Sequence, residues 1–383
     1  MSRRATDPGR CPAGWLALVL ALAPACMPAV APSRSAAPTP VELPSGSAAP
    51  TSVDMPSPDP GPIEGPAIAF HADPDGKDDF YLIGADGGGL RPLTRMVETV
   101  AFPYWSPDGS KIAYLCCTGH DPNLWVMNAD GSGTRRLTTG LASSPAWSPD
   151  GSRIAYDDHG AGAIWSMAAD GSDAKRLALA SGGARWSPDG RSIVFFSWRD
   201  FPDKEQRNEL YIMAADCSNQ VRLTDNDAED VEPTWSQDGL QIAFTSGRGA
   251  NPDIYVVAAD GSDERQLTTD PAPDEGPAWS PDGSRILFTS YRDGADPLML
   301  GSGNAEIFTV RPDGSGLTNL TKNPAWDGYP AWSPDGNRIA FSINDGVEFD
   351  LYVMNADGSG KRRLPGVEGA NGIANDCCPA WRP

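Results

Sequence analysis

The chain has 383 residues and a formal net charge of -21 at pH 7, with 41 Gly, 37 Pro, 12 Trp and only 3 His. The Gly and Pro content argues against a mainly helical protein, and the Trp content together with 40% hydrophobic residues argues against a disordered one. The acidity disfavours nucleic acid and anionic membrane surfaces as partners, because both are bound through Lys and Arg.

Residues 1–26 have the pattern of an export signal, here a signal peptide of the lipoprotein type. Arg3, Arg4 and Arg10 precede an apolar run over residues 15–23, and small residues then lead to Cys26. A basic start, a short hydrophobic stretch and small residues are typical of a secretory signal. Cys26 stands where a bacterial lipoprotein would be acylated, and plain signal cleavage nearby is the alternative. We therefore expect an exported protein of the periplasm, outer membrane or cell surface, anchored by a lipid at Cys26.

A proline-rich segment follows. Residues 27–65 hold ten Pro and no aromatic residue. Such a composition does not bury enough apolar surface to fold, so it predicts a disordered, semi-stiff tether. Behind a lipidated cysteine, this tether would hold the next domain off the membrane.

From residue 66 onward the sequence repeats one unit. The signature Trp-Ser-Pro-Asp-Gly, with Gln for Pro in one copy, begins at Trp105, Trp147, Trp186, Trp235, Trp279 and Trp332. A short apolar run of the Ile-Ala-Phe type follows each signature, and a second apolar run then ends in Asp-Gly before Leu-Thr or a near relative. Both Ser-Pro-Asp-Gly and Asp-Gly favour tight turns. Each unit thus predicts four strands, and because the middle strands are continuously apolar, both of their faces should be buried.

The count of units predicts the architecture. Residues 68–94 carry the last three strands of a unit without its Trp strand, and residues 379–381 supply a lone Trp strand at the end of the chain. Six complete units and one split unit make seven, at about 45 residues each. We predict an all-β, seven-bladed β-propeller of four-stranded antiparallel blades over residues 66–383, closed by the C-terminal strand joining the N-terminal blade. The signature Trp residues should wedge between blades.

These repeats resemble the TolB-type β-propeller family, and the resemblance covers nearly all of residues 66–383. TolB itself has an α/β domain before a propeller that is usually six-bladed, and its propeller binds a peptidoglycan-associated lipoprotein. The resemblance implies a non-catalytic protein-binding scaffold in the bacterial envelope. Relatives also include the propellers of prolyl-oligopeptidase-type enzymes, but this sequence has no Gly-x-Ser-x-Gly motif. The alternatives are a propeller that binds a glycan or small ligand, and a polysaccharide lyase or hydrolase.

Carboxylates recur five residues before the Trp in four blades, at Asp230, Asp274, Asp327 and Asp376. The innermost strands begin there, so these side chains should ring one mouth of the central channel. Clustered carboxylates raise one another's pKa or recruit a cation such as Ca²⁺. Beyond this cation, the sequence predicts no cofactor. The alternative is that each Asp caps a local turn.

Aromatic residues mark the loops on the same face, which we call the top face. Trp198 and Tyr291 open the longest insertions, and Trp326 and Tyr329 lie in a neighbouring connection. Aromatic side chains among charges favour recognition of a protein or glycan. The expected partner is therefore an envelope protein or a glycan, and we expect the protein itself to be a monomer. The alternative is that these aromatic rings pack onto their own loops.

The His and Cys residues also fall near the top face. His71, His120 and His159 belong to the first three blades and have carboxylates nearby, which makes them weak metal candidates. Solvated loop residues are the alternative. The pairs Cys116, Cys117 and Cys377, Cys378 lie at the tops of adjacent blades, which predicts a disulfide between one Cys of each pair, or less favourably a Zn site.

Overall fold

The computed structural model describes residues 63, 65–72, 79–94, 100–118, 121–200, 207–249, 251–292, 304–346, 348–366 and 376–383. These residues form seven separate four-stranded antiparallel sheets, and no helix occurs among them. The prediction of a seven-bladed β-propeller is confirmed. The export signal, Cys26, most of the tether and His120 lie outside the described residues.

The first three blades contain the N-terminal strands and the last strand. Blade 1 comprises β1 (Ala67–Ala72), β2 (Asp79–Gly84), β3 (Arg91–Pro92) and β28 (Cys377–Trp381). Blade 2 comprises β4 (Val100–Trp105), β5 (Lys111–Thr118), β6 (Asp121–Asn128) and β7 (Arg135–Arg136). Blade 3 comprises β8 (Ala142–Trp147), β9 (Arg153–Asp158), β10 (Ala163–Ala168) and β11 (Lys175–Leu179).

The other four blades repeat the same order. Blade 4 comprises β12 (Ser181–Trp186), β13 (Ser192–Ser197), β14 (Glu209–Ala214) and β15 (Val221–Arg222). Blade 5 comprises β16 (Asp230–Trp235), β17 (Gln241–Ser246), β18 (Asp253–Ala258) and β19 (Arg265–Gln266). Blade 6 comprises β20 (Asp274–Trp279), β21 (Ile286–Ser290), β22 (Glu306–Val310) and β23 (Thr318–Asn319), and blade 7 comprises β24 (Trp326–Trp332), β25 (Arg338–Asn344), β26 (Phe349–Asn355) and β27 (Arg362–Arg363).

The ring closes through blade 1, as predicted. The C-terminal strand β28 pairs antiparallel with β1, with Ala380 opposite Ala69 and Trp381 opposite Ile68. Beyond the strand, the Arg382 backbone N–H donates to the Ala67 carbonyl at 2.8 Å. The innermost strand of blade 1 thus comes from the far end of the sequence, which ties the two ends of the propeller together.

The hydrophobic core lies between blades, because side chains of one strand alternate between two neighbouring sheets. Ala69 and Phe80 of blade 1 pack with Tyr114 of blade 2. Ile68 on the opposite face packs with Leu351 of blade 7. All these side chains are at most 1% exposed. Burial on both faces explains why the middle strands are continuously apolar.

The signature Trp residues join each blade to the one before it. The Trp147 indole Nε1–H donates to the Tyr104 carbonyl at 3.0 Å, from blade 3 to blade 2. The same bond, from each Trp to the carbonyl one residue before the preceding Trp, is made by Trp105, Trp235, Trp279, Trp332 and Trp381 at 2.9–3.2 Å. Trp186 is the exception, since its buried Nε1–H has no hydrogen-bond acceptor in the described part of the chain. The signature Trp residues therefore form an interblade hydrogen bond, which we call the latch, at six of the seven interfaces between blades.

Much of the acidity belongs to the turns. In the first Trp-Ser-Pro-Asp-Gly copy, the Ser106 hydroxyl and the Ser110 backbone N–H both donate to Asp108 Oδ1, at 2.6 and 3.0 Å. These bonds lower the pKa of Asp108 to about 2. Gly109 follows with a φ of 64°, which Gly adopts without a Cβ clash. Carboxylates of this kind complete a turn.

Charge protects the outer edge of the ring in two blades. The outermost strands of blades 2 and 7 consist of Arg135–Arg136 and Arg362–Arg363, and all four residues are exposed. Short edge strands with charged side chains hinder edge-to-edge pairing with another chain. Within the described residues, no helix has the length and apolarity needed to cross a membrane.

Candidate functional site

Every innermost strand carries a β-bulge near its beginning. In all seven blades the pairing of the first two strands shifts register, and the residue three positions before the Trp has a positive φ of 50–68°. These seven residues, which we call the bulge ring, are Cys378, Phe102, Ser144, Gly183, Glu232, Gly276 and Tyr329 in blades 1 to 7. Only two of them are Gly. Non-Gly residues at positive φ are strained, and such residues concentrate at functional sites. The bulge ring therefore makes this end of the channel the candidate functional site.

The bulges also link neighbouring blades through carboxylates. Both Asp157 carboxylate oxygens of blade 3 accept the backbone N–H of Gly183 in blade 4, at 3.0 Å. Glu232 Oε2 of blade 5 accepts the N–H of Gly276 in blade 6 at 3.0 Å, and also the Thr245 hydroxyl at 2.8 Å. Burial raises the pKa of Asp157. Part of the acidity at the mouth is therefore structural.

The four predicted aspartates do recur at the start of the innermost strands, and each is at most 2% exposed. Asp230 Oδ2 accepts hydrogen bonds from Asn226 at 2.6 Å and from Arg248 at 3.0 Å, and Oδ1 accepts the Ser246 hydroxyl. Asp274 Oδ2 pairs with Arg292 at 2.7 Å. The Ser246 and Arg partners lie 16 and 18 positions along the chain from the aspartates, so these contacts differ from the capping of a local turn. Cation binding stays a prediction.

The other two aspartates have different surroundings. Asp327 accepts a hydrogen bond from Asn323, while burial, with the nearby Glu306 charge, raises its pKa to about 7. The Asp376 backbone N–H donates to the Phe349 carbonyl at 2.8 Å, just before the closing strand. The four aspartates therefore share a position in the repeat without sharing one set of contacts.

Three arginines on the top face are held over aromatic rings. Arg199, Arg248 and Arg292 each follow the Ser that ends the second strand by two residues. Their guanidinium carbons lie 4.6 Å from the ring centroids of Tyr211, Tyr255 and Phe308, respectively, on the third strand of the same blade. Arg248 and Arg292 combine this cation–π contact with the Asp pairs described above. Sequence reasoning missed these residues, although the repeated Ser-x-Arg spacing was visible.

Aromatic residues from blades 2 and 7 meet at the mouth. Trp326 lies 5.4 Å from Tyr329 and 5.6 Å from Phe349, and Phe102 lies 6.3 Å from Tyr329, all between ring centroids in edge-to-face geometry. We call these four residues the aromatic cluster; they pack against Cys377 and Cys378 of blade 1. Trp326, Tyr329 and Phe102 are only half-buried. The structure thus brings the predicted Trp326 and Tyr329 together and adds Phe102 and Phe349, which the sequence pattern did not single out.

Three glutamates from blades 5 and 6 lie near one another at the mouth. Burial, reinforced by the charges of Glu232 and Asp274, raises the pKa of Glu275 to about 7. Burial also raises the pKa of Glu229, whose carboxylate accepts a hydrogen bond from Asn208 at 3.0 Å. We call Glu229, Glu232 and Glu275 the acidic cluster.

Tyr291 connects the two clusters. Burial, reinforced by the nearby Glu275 charge, raises the pKa of the Tyr291 phenol, which also lies near Trp326. The last predicted aromatic residue, Trp198, lies apart, 6.5 Å from Phe196 between ring centroids. One end of the channel therefore combines half-buried aromatic rings with a group of carboxylates.

The two described histidines, His71 and His159, lie in different surroundings. His71 is buried, with Nδ1 3.4 Å from Cys377 Sγ, whereas His159 is exposed, with Nε2 2.6 Å from Ser143 Oγ. In the part of the chain that the structure describes, no three His, Cys, Asp or Glu side chains are placed to hold a metal ion together.

The cysteine pairs lie at the predicted blades. Cys116 is buried against blade 1, and Cys377 and Cys378 begin the closing strand. The Cys117 side chain lies outside the described residues. A disulfide between the two pairs stays a prediction.

Comparison with known proteins assigns the propeller to a family. The family model of the TolB beta propeller domain matches residues 97–201 and 180–295. A protein TolB homolog of Chlorobium luteolum is 32% identical over 305 residues, covering 80% of this chain and 58% of the homolog, so the chain spans less than two thirds of that relative's length.

Solved structures share the fold at low identity. TolB from Acinetobacter baumannii superposes with a TM-score of 0.52 at 19% identity, over 83% of this chain and 67% of the other. An oligogalacturonate lyase in complex with manganese gives a TM-score of 0.57 at 17% identity, over 77% and 84% of the two chains. Together with the six copies of the Trp signature, the family match and the TolB homolog show that this chain belongs to the TolB-type β-propeller family.

Proposed function

We propose that the protein is an exported, non-catalytic scaffold of the bacterial cell envelope, and that it binds another envelope protein at the top mouth of its propeller. The observation that carries this proposal is the aromatic cluster, in which three of four rings stay half-buried. Half-buried aromatic residues beside polar groups are the usual anchors of protein interfaces.

The N-terminal sequence and the family support this location. A signal-like start and Cys26 favour export with a lipid anchor, and the TolB homolog supports a role in the envelope. The charged outer edges favour a monomer, since they hinder pairing between propellers.

The polar groups at the mouth support binding rather than catalysis. Among the described residues at the mouth, Ser143 and His159 form the one Ser–His contact. If Ser143 were a nucleophile and His159 its base, a third group would be needed to orient His159. The nearby Asp157 carboxylate instead accepts the Gly183 N–H with both oxygens. A glycan ligand is the second candidate, favoured by the combination of Trp326 with the acidic cluster, which suits the ring faces and hydroxyls of a sugar.

Site-specific crosslinking would test the proposal. A photoreactive phenylalanine analogue is placed at Phe102 of the full chain in its host, with Val221 on the outer edge, 54% exposed, as the control position. We expect a discrete crosslinked protein from position 102 and none from position 221. Equal crosslinking at both positions, or none at 102 while a glycan array shows binding, would contradict the protein-binding role.

A further inference from the structure

Two adjacent cysteines begin the strand that closes the ring. Cys377 lies opposite His71 in the pairing of β28 with β1. Cys377, Cys378 and His71 are 1%, 8% and 8% exposed, so this group is largely shielded from solvent. It borders the aromatic cluster, because both cysteines pack with Phe349.

The two sulfur atoms are unusually close for neighbours on a strand. Successive side chains of a regular strand point to opposite faces, which separates their ends. Here the register shifts between Ala69 and His71, and Cys378 has a φ of 59° as the bulge-ring residue of blade 1. The bulge breaks the alternation, and Cys377 Sγ comes to 2.8 Å from Cys378 Sγ. A disulfide of about 2.05 Å requires the sulfur atoms to approach by less than about 1 Å further. Because the Cα atoms of neighbouring residues are only about 3.8 Å apart, below the usual range for a disulfide, such a bond is strained and easily reduced.

An imidazole adjoins the pair. His71 Nδ1 is 3.4 Å from Cys377 Sγ, within range of a hydrogen bond to sulfur. An imidazole in this position accepts the thiol proton and increases the fraction of the reactive thiolate. Among the described residues, the titratable groups near the two thiols include Tyr104 of blade 2, Tyr329 of blade 7 and Asp376, which precedes Cys377.

We propose that Cys377 and Cys378 are a redox-active dithiol that closes to a disulfide between the two neighbours, with His71 as the proton acceptor. The oxidant is a disulfide, such as that of an exported thiol oxidase or of oxidised glutathione. Cys378, the more exposed thiol, loses its proton and attacks one sulfur of the oxidant, whose S–S bond breaks and releases one thiol. The Cys377 proton passes to His71 Nδ1, and the Cys377 thiolate attacks Cys378 Sγ and breaks the mixed disulfide. The second oxidant sulfur departs as a thiolate and takes the proton from His71, which is neutral again. Two electrons and two protons thus leave the protein as two thiols of the reduced oxidant.

Oxidation would change the top mouth. Cys378 belongs to the bulge ring and shares its apolar cluster with Phe102 and Tyr329. A bond between the two sulfurs fixes the bulge conformation beside these rings. The dithiol therefore couples the redox state of the compartment to the shape of the aromatic cluster.

Peptide mapping of the unmodified full chain tests the proposal directly. The protein is incubated with oxidised glutathione, treated with N-ethylmaleimide and digested with trypsin, which places Cys377 and Cys378 in peptide 364–383 and the other pair in peptide 112–135. We expect peptide 364–383 to lack two hydrogens and carry no maleimide, and to accept two maleimides after reduction. Two maleimides without reduction would overturn the proposal. So would a disulfide joining peptides 364–383 and 112–135, which is the bond predicted from sequence.

The role of His71 is tested by the rate of oxidation. His71→Gln keeps a polar side chain and should slow disulfide formation roughly tenfold at pH 7, with the rate recovering as the pH approaches the ordinary thiol pKa of about 8.5. Cys217→Ser is the matched control and should leave the rate unchanged. Identical pH profiles for the unmodified chain and H71Q would show that His71 takes no part in the proton transfer.

Discussion

In blades 5 and 6 the side chains around the mouth bind each other, whereas in blades 7, 1 and 2 they leave aromatic surface uncovered. Arg248 forms an ion pair with Asp230, and Arg292 forms one with Asp274, so these carboxylate charges are neutralised within their own blades. Tyr329 and Phe102 stack edge to face yet stay half-buried. We therefore assign stability to the mouth of blades 5 and 6, the paired region, and recognition to the mouth of blades 7, 1 and 2, the aromatic region.

The largest expected effect is on the paired region. Arg248→Ala leaves Asp230 buried without its cation and removes the contact with Tyr255. We expect a loss of about 3 kcal/mol in the free energy of unfolding, because breaking a buried ion pair leaves an uncompensated charge. Chemical denaturation measures this. The control is Arg191→Ala, whose ion pair with Asp189 is exposed and should change stability by less than about 0.5 kcal/mol. Equal effects of the two changes would refute the assignment.

The acidic cluster gives a pH dependence of defined sign. The pKa of Glu275 in the folded protein, about 7, lies above its value in the unfolded chain. Its contribution to stability is therefore complete below about pH 4 and is lost as the pH rises through 7. Between pH 5 and pH 8 the unmodified protein should lose about 2 kcal/mol more than Glu275→Gln. Asp263→Asn, at an exposed hairpin, is the control with the same change in charge. Parallel stability curves for the unmodified protein and E275Q would contradict the raised pKa.

The latch between blades offers a smaller effect with a matched pair. Trp147→Phe removes the hydrogen bond to the Tyr104 carbonyl, whereas Trp186→Phe removes none among the described residues. Both changes lose part of a large ring, so their difference isolates the hydrogen bond, worth about 1 kcal/mol. Thermal unfolding should show the greater loss for W147F, and a greater loss for W186F would argue against the latch.

The smallest expected effect concerns cations. Because Asp230 and Asp274 are already paired with arginines, we expect excess Ca²⁺ and excess EDTA to give the same melting temperature within about 1 °C. A saturable rise with Ca²⁺ would instead restore the carboxylate ring as a cation site.

The repeats made the fold predictable, since Trp105 and its equivalents recur with the turn residues that each hairpin needs. The position of Asp230 was predictable for the same reason. Its partner Arg248 was not, because only the return of the second strand brings residues 18 positions apart into contact. The bulge ring has no common residue type, as Ser144, Glu232 and Tyr329 show, so backbone geometry defines it. The sequence also could not show that Trp186 lacks a hydrogen-bond acceptor among the described residues, because the acceptor at the other blades is a backbone carbonyl, whose position no residue type indicates.

The most direct test of the central claim compares one variant from each region in the crosslinking experiment at Phe102. Tyr329→Asn removes a ring of the aromatic cluster while tolerating the positive φ of 52°, and Arg248→Ala weakens the paired region. We predict that Y329N abolishes the crosslink while folded R248A protein retains it. Loss of the crosslink in R248A and its survival in Y329N would contradict the account.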